Sequence, residues 1–285
     1  MVAQLFFSGL STGSLYSLTA LGIVILLKAM DLINFAQAQF VMAGAFLGLG
    51  LMTILKFPYW LSFVLAVALT GLLAVIIERL TYRPLRNAPL SNAVIATIAV
   101  FILLEELGLI CGGPEPLPFP SPMENKLFVL YGVRLMVEDI LILAISILMM
   151  ILLQIFFKKT YMGLAMRAVM QDREAAAVMG IEVSRSVTLT FALAGALGGA
   201  AGVLIAPVVF VSFGMGSDIS LRVFSAAAIG GWYSIPGTIV GGILLGVADN
   251  FTASFLTSAY RDAIIFSILI IFLLFRPSGI FGKRW

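Results

Sequence analysis

Long uncharged apolar runs dominate this chain and limit the folds open to it. A helix needs about 20 apolar residues to cross the hydrocarbon core of a bilayer, and several runs exceed that length. With 61% apolar and only 11% charged residues, the chain has too much apolar surface for a water-soluble fold. The runs do not alternate polar and apolar residues in short segments, which disfavours an outer-membrane barrel. The sequence therefore predicts an all-α polytopic membrane protein. The uncharged runs are 1–27, 32–55, 57–77, 87–104, 140–157, 186–217, 223–248 and 263–275.

The charges between the runs predict the orientation in the membrane. Basic residues gather in 78–90, in 158–185 and in the tail from Arg276, whereas 113–139 is rich in carboxylates. Cytoplasmic loops carry an excess of Lys and Arg, so we expect these three basic regions inside and 113–139 outside. This loop bias explains the net charge of +3 better than nucleic-acid binding does.

A helix break in the C-terminal half is needed to reconcile this orientation with the number of crossings. If 223–248 and 263–275 each crossed once, the basic tail would lie outside. The conflict disappears if the chain breaks at 230–237 (GGWYSIPG). A half-helix would then run inward from 222 to about 231, and a second helix would return outward from Pro236 to about Leu256. Paired glycines free the backbone, and proline suits the first turn of a helix.

The predicted chain is thus a single transmembrane domain, 1–285, with about eight to nine transmembrane elements, one of them broken near 230–237. Irregular backbone at membrane depth is tolerated only beside protein or a water-filled cavity. Gly230 and Gly231 are therefore candidates for a transport pathway.

Glycine pairs at four-residue spacing indicate closely packed helices. Such pairs let helix backbones approach each other where no hydrophobic effect drives association. We expect packing within one subunit, and a seam between subunits is the alternative. The pairs are Gly9/Gly13, Gly44/Gly48, Gly195/Gly199, Gly198/Gly202, Gly237/Gly241 and Gly242/Gly246.

The polar segment 158–185 lies between two apolar runs and cannot sit in lipid. It is predicted to form two short helices, the first over about 164–170. In the second, Asp172 is a candidate N-cap, Glu174 suits the positive helix end, and Gly180 suits the C′ position. Small side chains there would let a partner approach the backbone closely, which favours a docking surface. An ordinary solvated loop is the plain alternative.

A few polar residues lie at membrane depth, where ionisable groups are costly and usually face a cavity or a partner. Glu105 and Glu106 are either helix-end carboxylates in interfacial water or functional groups. Asp249 is expected to line a pathway or to pair between helices. The remaining candidates are the amides Asn34, Gln37 and Gln39.

Several chemistries are disfavoured by what the sequence lacks. With no histidine and one cysteine, a transition-metal site is not expected. No Gly-x-x-x-x-Gly-Lys-Ser/Thr motif occurs, so the chain has no P-loop for ATP. No nucleophile–base arrangement stands out. We therefore expect neither enzymatic activity nor a cofactor of the chain's own.

Four motifs occur together in this chain: Leu32–Phe40 (LINFAQAQF), Gly163–Ile181, 230–242 (GGWYSIPGTIVGG) and Arg276–Ile280 (RPSGI). In their order and spacing they resemble the branched-chain amino acid ABC transporter permeases of the LivH type, over essentially the full length. Family members commonly carry glycine and a carboxylate where this chain has Ala38 and Gln39.

The resemblance implies an ABC importer permease in the inner (plasma) membrane of a prokaryote. Its expected partners are a homologous LivM-like permease, two cytoplasmic ATPases that bind the ATP, an extracytoplasmic substrate-binding protein and the lipid bilayer. The family's coupling segment maps onto Gly163–Ile181. The coupling residues are expected to be Gly163, Arg167, Ala168, Asp172, Glu174, Ala176, Gly180 and Ile181.

The expected substrate is a branched-chain or other hydrophobic amino acid, with urea or a short amide as open alternatives. The candidate pathway residues are Asn34, Gln37, Gln39, Gly230, Gly231 and Asp249. Whether the pore is a homodimer or a heterodimer stays open. An ion-coupled secondary transporter using Glu105, Glu106 and Asp249 is the main competing hypothesis, and a non-transporting membrane scaffold is another.

Overall fold

The computed structural model describes residues 2–85, 88–123, 127–130, 133–255 and 261–282. Within these residues the regular structure is helical apart from one short antiparallel hairpin and an isolated bridge between Leu117 and Val211. The elements in chain order are α1 (Val2–Met30), a 3-10 turn (Phe35–Ala38), α2 (Gln39–Thr53), α3 (Tyr59–Ile77), a π-helical turn (Glu78–Tyr82), α4 (Leu90–Gly112), β1 (Leu127–Leu130), β2 (Val133–Met136), α5 (Val137–Lys159), α6 (Tyr161–Gln171), α7 (Arg173–Val178), α8 (Val183–Val209), α9 (Met215–Gly230), α10 (Ile235–Phe255) and α11 (Arg261–Phe275).

The predicted class, an all-α polytopic membrane protein, is confirmed. Seven helices among the described residues are long and apolar enough to cross a membrane. The 16-residue α9 and the shorter apolar helix Asp262–Phe275 bring the total to nine elements. This total agrees with the predicted eight to nine. The seven long candidates are Val2–Met30, Phe35–Thr53, Tyr59–Tyr82, Ser91–Gly112, Val137–Lys159, Val183–Val209 and Ile235–Phe255.

Helix α1 is the central helix of the bundle. Its most apolar window is 89% buried, against 33% for α3, 22% for α4 and 28% for α5. It packs against α10, α8, α5 and α9. The outer helices instead leave large apolar side chains uncovered, which suits a surface that faces lipid acyl chains.

The glycine pairs serve packing within this one chain, as predicted. A Cβ atom added at Gly246 of α10 would lie 2.2 Å from the Cα of Gly13 in α1. One added at Gly44 of α2 would lie 2.4 Å from the Cα of Gly199 in α8. Only glycine lets these backbones approach so closely, so the pairs set the separation between α1 and α10 and between α2 and α8.

The predicted helix break is present: α9 ends at Gly230 and α10 begins at Ile235. Gly231 has a φ of +106°, a backbone conformation that glycine adopts without strain. The predicted start of the half-helix at 222 is wrong, because α9 begins at Met215. A charged residue such as Arg222 predicts a boundary of a membrane helix. Arg222 nevertheless lies within α9, because it pairs with carboxylates on later helices.

The break lies toward the helix ends rather than at the middle of the bundle. The phenol of Tyr233, within the break, hydrogen-bonds to Asp31, which follows the last residue of α1. The tail also packs here, since the backbone N–H of Ile280 donates to the Ile229 carbonyl oxygen at 2.8 Å. The end of α1, the end of α9 and the tail therefore share one side of the molecule.

The polar segment forms the two predicted helices, but the first is longer than expected. Helix α6 covers Tyr161–Gln171 instead of 164–170, because the Thr160 hydroxyl accepts a hydrogen bond from the Gly163 N–H at 2.9 Å and caps it earlier. Asp172 is the N-cap of α7, as predicted. Gly180 follows α7 with a φ of +83°, the left-handed conformation expected of a C′ glycine.

Candidate functional site

The surface of α6 and α7 is unusual because it exposes large apolar side chains next to charged ones. Tyr161 is 85% exposed, Val178 87% and Met179 81%. Arg167 is exposed on the same segment. Exposed apolar groups rimmed by polar residues are typical of protein interaction sites. We call the exposed face of Tyr161–Ile181 the coupling face.

The opposite face of this segment is fixed to the transmembrane helices. Gly163, Met166 and Val169 of α6 are buried, as is Ala176 of α7. A Cβ atom at Gly163 would lie 2.2 Å from the Phe156 carbonyl oxygen, so α6 sits directly on the end of α5. Force applied to the coupling face would therefore reach α5 and α8 through close contacts.

The predicted coupling residues divide between the two faces. Gly163 and Ala176 are buried and anchor the segment, while Ala168 and Ile181 are half-buried at its edges. The carboxylate of Asp172 accepts hydrogen bonds from the N–H groups of Glu174 (2.9 Å) and Ala175 (3.0 Å) and so orders α7. The exposed residues that a partner could touch are Arg167, Asp172, Glu174 and Gly180.

Several polar residues lie between α7 and the turn that precedes α2. Arg173 of α7 shares a small cleft with Glu78 and Tyr82 of the π-helical turn. Glu78 is 2% exposed and accepts a hydrogen bond from the Thr188 hydroxyl at 3.0 Å. The Tyr82 hydroxyl donates to Asn34 Oδ1 at 3.1 Å. Asn34 is thus tied to the coupling side of the molecule, and π-helical turns of this kind are frequent at functional positions.

The other amides near Asn34 are buried between helices. Gln37 is fully buried, and its Nε2 donates to the Ala194 carbonyl oxygen of α8 at 2.9 Å. Gln39 Nε2 lies 3.5 Å from Glu105 Oε2, and the Ser217 hydroxyl of α9 donates to the other oxygen of Glu105 at 2.5 Å. Glu105 is therefore an inter-helix partner that joins α2, α4 and α9.

A cavity of about 530 Å³ opens near the N-terminal half of α1, at the opposite end of α8 from the coupling face. Five helices contribute to it: α1, α5, α8, α9 and α11. Its lining combines apolar side chains with charged groups and hydroxyl groups. The lining residues are Ser11, Thr12, Leu15, Tyr16, Asp139, Ile142, Ile205, Val208, Val209, Phe210, Ser212, Met215, Ser217, Asp218, Ile219, Leu221, Arg222, Asp262 and Phe266.

Arg222 of α9 is the one cation among the described lining residues of this cavity. Its side chain is only 14% exposed, and it forms an ion pair with Asp262 of α11. Its Nε lies 3.7 Å from Oδ2 of Asp249, a fully buried residue of α10 that also accepts a hydrogen bond from the Tyr16 hydroxyl at 2.8 Å. One guanidinium thus joins three helices around the cavity.

The sequence analysis did not identify Arg222 as a site residue. The available signal was a lone arginine between the uncharged runs 186–217 and 223–248. An arginine in such a position usually faces a cavity or a carboxylate partner. From the sequence alone, Arg222 predicts only a boundary between helices.

Comparison with known proteins places this fold in a family. Residues 5–273 match the family described as "Branched-chain amino acid transport system / permease component". The chain belongs to this family. No solved structure matches it.

Three curated relatives illustrate how far the permease is similar to known members. It is 30% identical to the LivH protein of Salmonella typhimurium, a high-affinity branched-chain amino acid transport system permease protein, over 98% of this chain and 95% of that protein. It is 31% identical to the corresponding BraD protein of Pseudomonas aeruginosa, over 97% and 94%. It is 29% identical to the probable LivH protein of Methanocaldococcus jannaschii, over 95% and 90%.

The predicted pathway residues of the permease do not form one site. Asp249 approaches the cavity from behind Tyr16 and Arg222. Gln39 also lies behind the lining, against Gly216 of α9. Asn34 and Gln37 are not among the lining residues. Gly230 and Gly231 pack against the backbones of Gly237 and of the tail near Ser278. A role for these five residues in the pathway stays a prediction.

Proposed function

We propose that this permease is one of two membrane-spanning subunits of an ATP-driven importer for branched-chain or other hydrophobic amino acids, in the plasma membrane of a prokaryote. A LivM-like permease would complete the pore. Two cytoplasmic ATPases would bind the ATP, and an extracytoplasmic binding protein would deliver the substrate. The chain itself would perform no catalysis.

The coupling face carries this proposal. A water-exposed segment gains nothing from leaving Tyr161, Val178 and Met179 uncovered unless another protein covers them. The exposed Arg167 adds a planar donor suited to a carboxylate or a backbone carbonyl of the partner. The segment 158–185 is rich in Lys and Arg, so the positive-inside rule predicts that it lies in the cytoplasm, where the ATPases would be.

In the proposed cycle, closure of the ATPases on ATP displaces α6 and α7. Because α6 rests on the end of α5 through Gly163 and packs against α8, this displacement tilts both helices. The tilt would open the passage alternately toward the cavity and toward the coupling face. The substrate-binding protein selects the ligand, so the permease needs to supply a compatible passage and not the full specificity.

The coupling assignment is tested with Arg167→Ala and Gly180→Ala in the complete transporter in proteoliposomes. Loss of an interface arginine commonly costs enough binding energy to weaken association by about tenfold or more. We expect ATP-driven leucine uptake to fall by at least that factor and less ATPase to co-purify. The matched control is Arg185→Ala, since Arg185 is 81% exposed and, among the described residues, pairs only with the nearby Glu182.

Uptake that persists unchanged in Arg167→Ala and Gly180→Ala would count against the coupling face. Uptake by the purified chain alone, collapsing with the membrane potential and insensitive to ATP, would instead favour an ion-coupled secondary transporter. In that case the buried carboxylates Glu105 and Asp249 would be the first residues to substitute.

A further inference from the structure

We propose that the cavity around Arg222 is a binding subsite for a zwitterionic amino acid with an aliphatic side chain, and that Arg222 binds its carboxylate. This inference rests on the proposed function, because it names where the transported amino acid is held. Three properties of the cavity support it: its apolar lining residues, the bonding of Arg222, and the carboxylates that line the same cavity.

The apolar lining residues suit an aliphatic side chain. Leu15, Ile142, Ile205 and Ile219 come from four different helices and face the same space. The volume of about 530 Å³ falls within the range of about 300–1,000 Å³ that small-molecule sites occupy. Burying an aliphatic group there is favourable because it removes apolar surface from water.

Arg222 is positioned to exchange one carboxylate for another. One terminal nitrogen pairs with Asp262, whose side chain is 67% exposed, and the other donates to the Asp218 backbone oxygen. Its Nε has no hydrogen-bond partner among the described residues. Because the Asp262 carboxylate is mostly exposed to water, its pairing with Arg222 is weakened by solvent, and a ligand carboxylate can replace it at small cost. The planar guanidinium binds a carboxylate through two parallel hydrogen bonds.

The lining of the cavity also provides groups that can bind the ligand ammonium. The lining contains three carboxylates, Asp139, Asp218 and Asp262, and one guanidinium. A carboxylate displaced from Arg222 becomes available to the ammonium, and Asp139 is held in place by the Ser8 hydroxyl at 2.7 Å. A zwitterion satisfies both signs of charge. A simple carboxylic acid would be repelled, and an amine without a carboxylate would leave Arg222 with Asp262.

The test uses a cysteine reporter in the cavity. The chain has one cysteine, Cys111, which is exposed, so Cys111→Ser gives a cysteine-free background. Ser212→Cys then places an isosteric thiol on the cavity wall. The complete transporter in proteoliposomes is labelled with a membrane-impermeant maleimide in the presence of leucine, leucinamide, isopentylamine or 4-methylpentanoate. We expect leucine to protect Ser212→Cys best, because it alone presents the aliphatic group and both charges.

Arg222→Gln should raise the leucine concentration for half-protection by about tenfold or more, as expected for loss of a charge-assisted hydrogen bond. It should also remove the advantage of leucine over leucinamide. Since Arg222→Gln leaves the buried Asp249 without its cation, the double variant Arg222→Gln/Asp249→Asn is measured as well. Arg185→Gln is the control and should leave protection unchanged.

Equal protection by leucine and leucinamide, or no protection by any of the four compounds, would overturn the subsite. So would unchanged protection in both Arg222 variants. The outcomes also separate this inference from the proposed function. ATP-driven leucine uptake without protection of Ser212→Cys would reject the subsite and keep the importer. Protection without ATP-driven uptake would keep the subsite and reject the importer.

Discussion

At the scale of single residues, the Asp172 cap is predicted to stabilise α7 on the coupling face. Helix α7 has only six residues, so its N-cap supplies much of its stability. Asp172→Ala removes both hydrogen bonds to the first turn, at a cost of about 1 kcal/mol, which corresponds to about fivefold in local opening. We expect the amides of α7 to exchange hydrogen about fivefold faster. Asp172→Asn keeps an acceptor and should exchange as the parent does; equal acceleration in both variants would contradict the capping role.

The Tyr233–Asp31 hydrogen bond near the helix break predicts that the stability of the protein depends on pH. Burial raises the pKa of the Tyr233 phenol above its ordinary value, and the Asp31 carboxylate, which accepts its hydrogen bond, raises this pKa further. The folded state therefore holds this proton more tightly than the unfolded state. The resulting stability is complete below about pH 10 and is lost as the pH rises through the raised pKa.

The measurement is the tyrosinate absorbance during titration, taken as the difference between the parent and Tyr233→Phe. Asp31→Asn removes the negative charge beside the phenol and should lower the pKa of Tyr233 toward its ordinary value. An unchanged titration in Asp31→Asn would show that the carboxylate has no influence on the phenol.

At the scale of helices, the α1–α10 contact predicts opposite effects for two glycine substitutions. A Cβ at Gly246 would lie 2.2 Å from the Gly13 backbone, whereas nothing lies within 4 Å of a Cβ at Gly50. Overpacking costs about 1–3 kcal/mol, while alanine in a free helical position gains about 0.5–1 kcal/mol. We expect Gly246→Ala to lower the unfolding temperature in detergent and Gly50→Ala to leave it unchanged or raise it. The same shift in both variants would contradict this packing.

The helices also show which features could be predicted from the sequence. The break at 230–237 followed from loop charges and from glycine and proline, which are local signals. The start of α9 at Met215 could not be predicted, because Arg222 is accommodated by Asp249 and Asp262, which lie 27 and 40 residues later in the chain. The hairpin β1–β2 lies in a loop where only charge and proline content were informative. The predicted start of α9 is wrong because these partners are distant in the sequence, and the spacing of residues does not reveal them.

At the scale of the whole molecule, the two candidate sites lie at opposite ends of α8. Its 27 residues span about 40 Å at 1.5 Å per residue. Val183 begins it beside the coupling segment, and Ile205 and Val208 near its end face the cavity. Rigid helices are suitable for carrying a displacement over this distance. The proposed cycle therefore depends on the coupling face lying inside the cell and the cavity lying outside.

This orientation can be measured with the single native cysteine. Cys111 is exposed at the end of α4, next to the segment 113–139 that we assign to the outside. A membrane-impermeant maleimide should therefore label the parent in intact cells. In the Cys111→Ser background, Met179→Cys places an exposed thiol on the coupling face and should react only after the membrane is permeabilised, because basic loops stay in the cytoplasm. Met179→Cys labelled from outside, with Cys111 protected, would invert the molecule and remove the coupling face from reach of cytoplasmic ATPases.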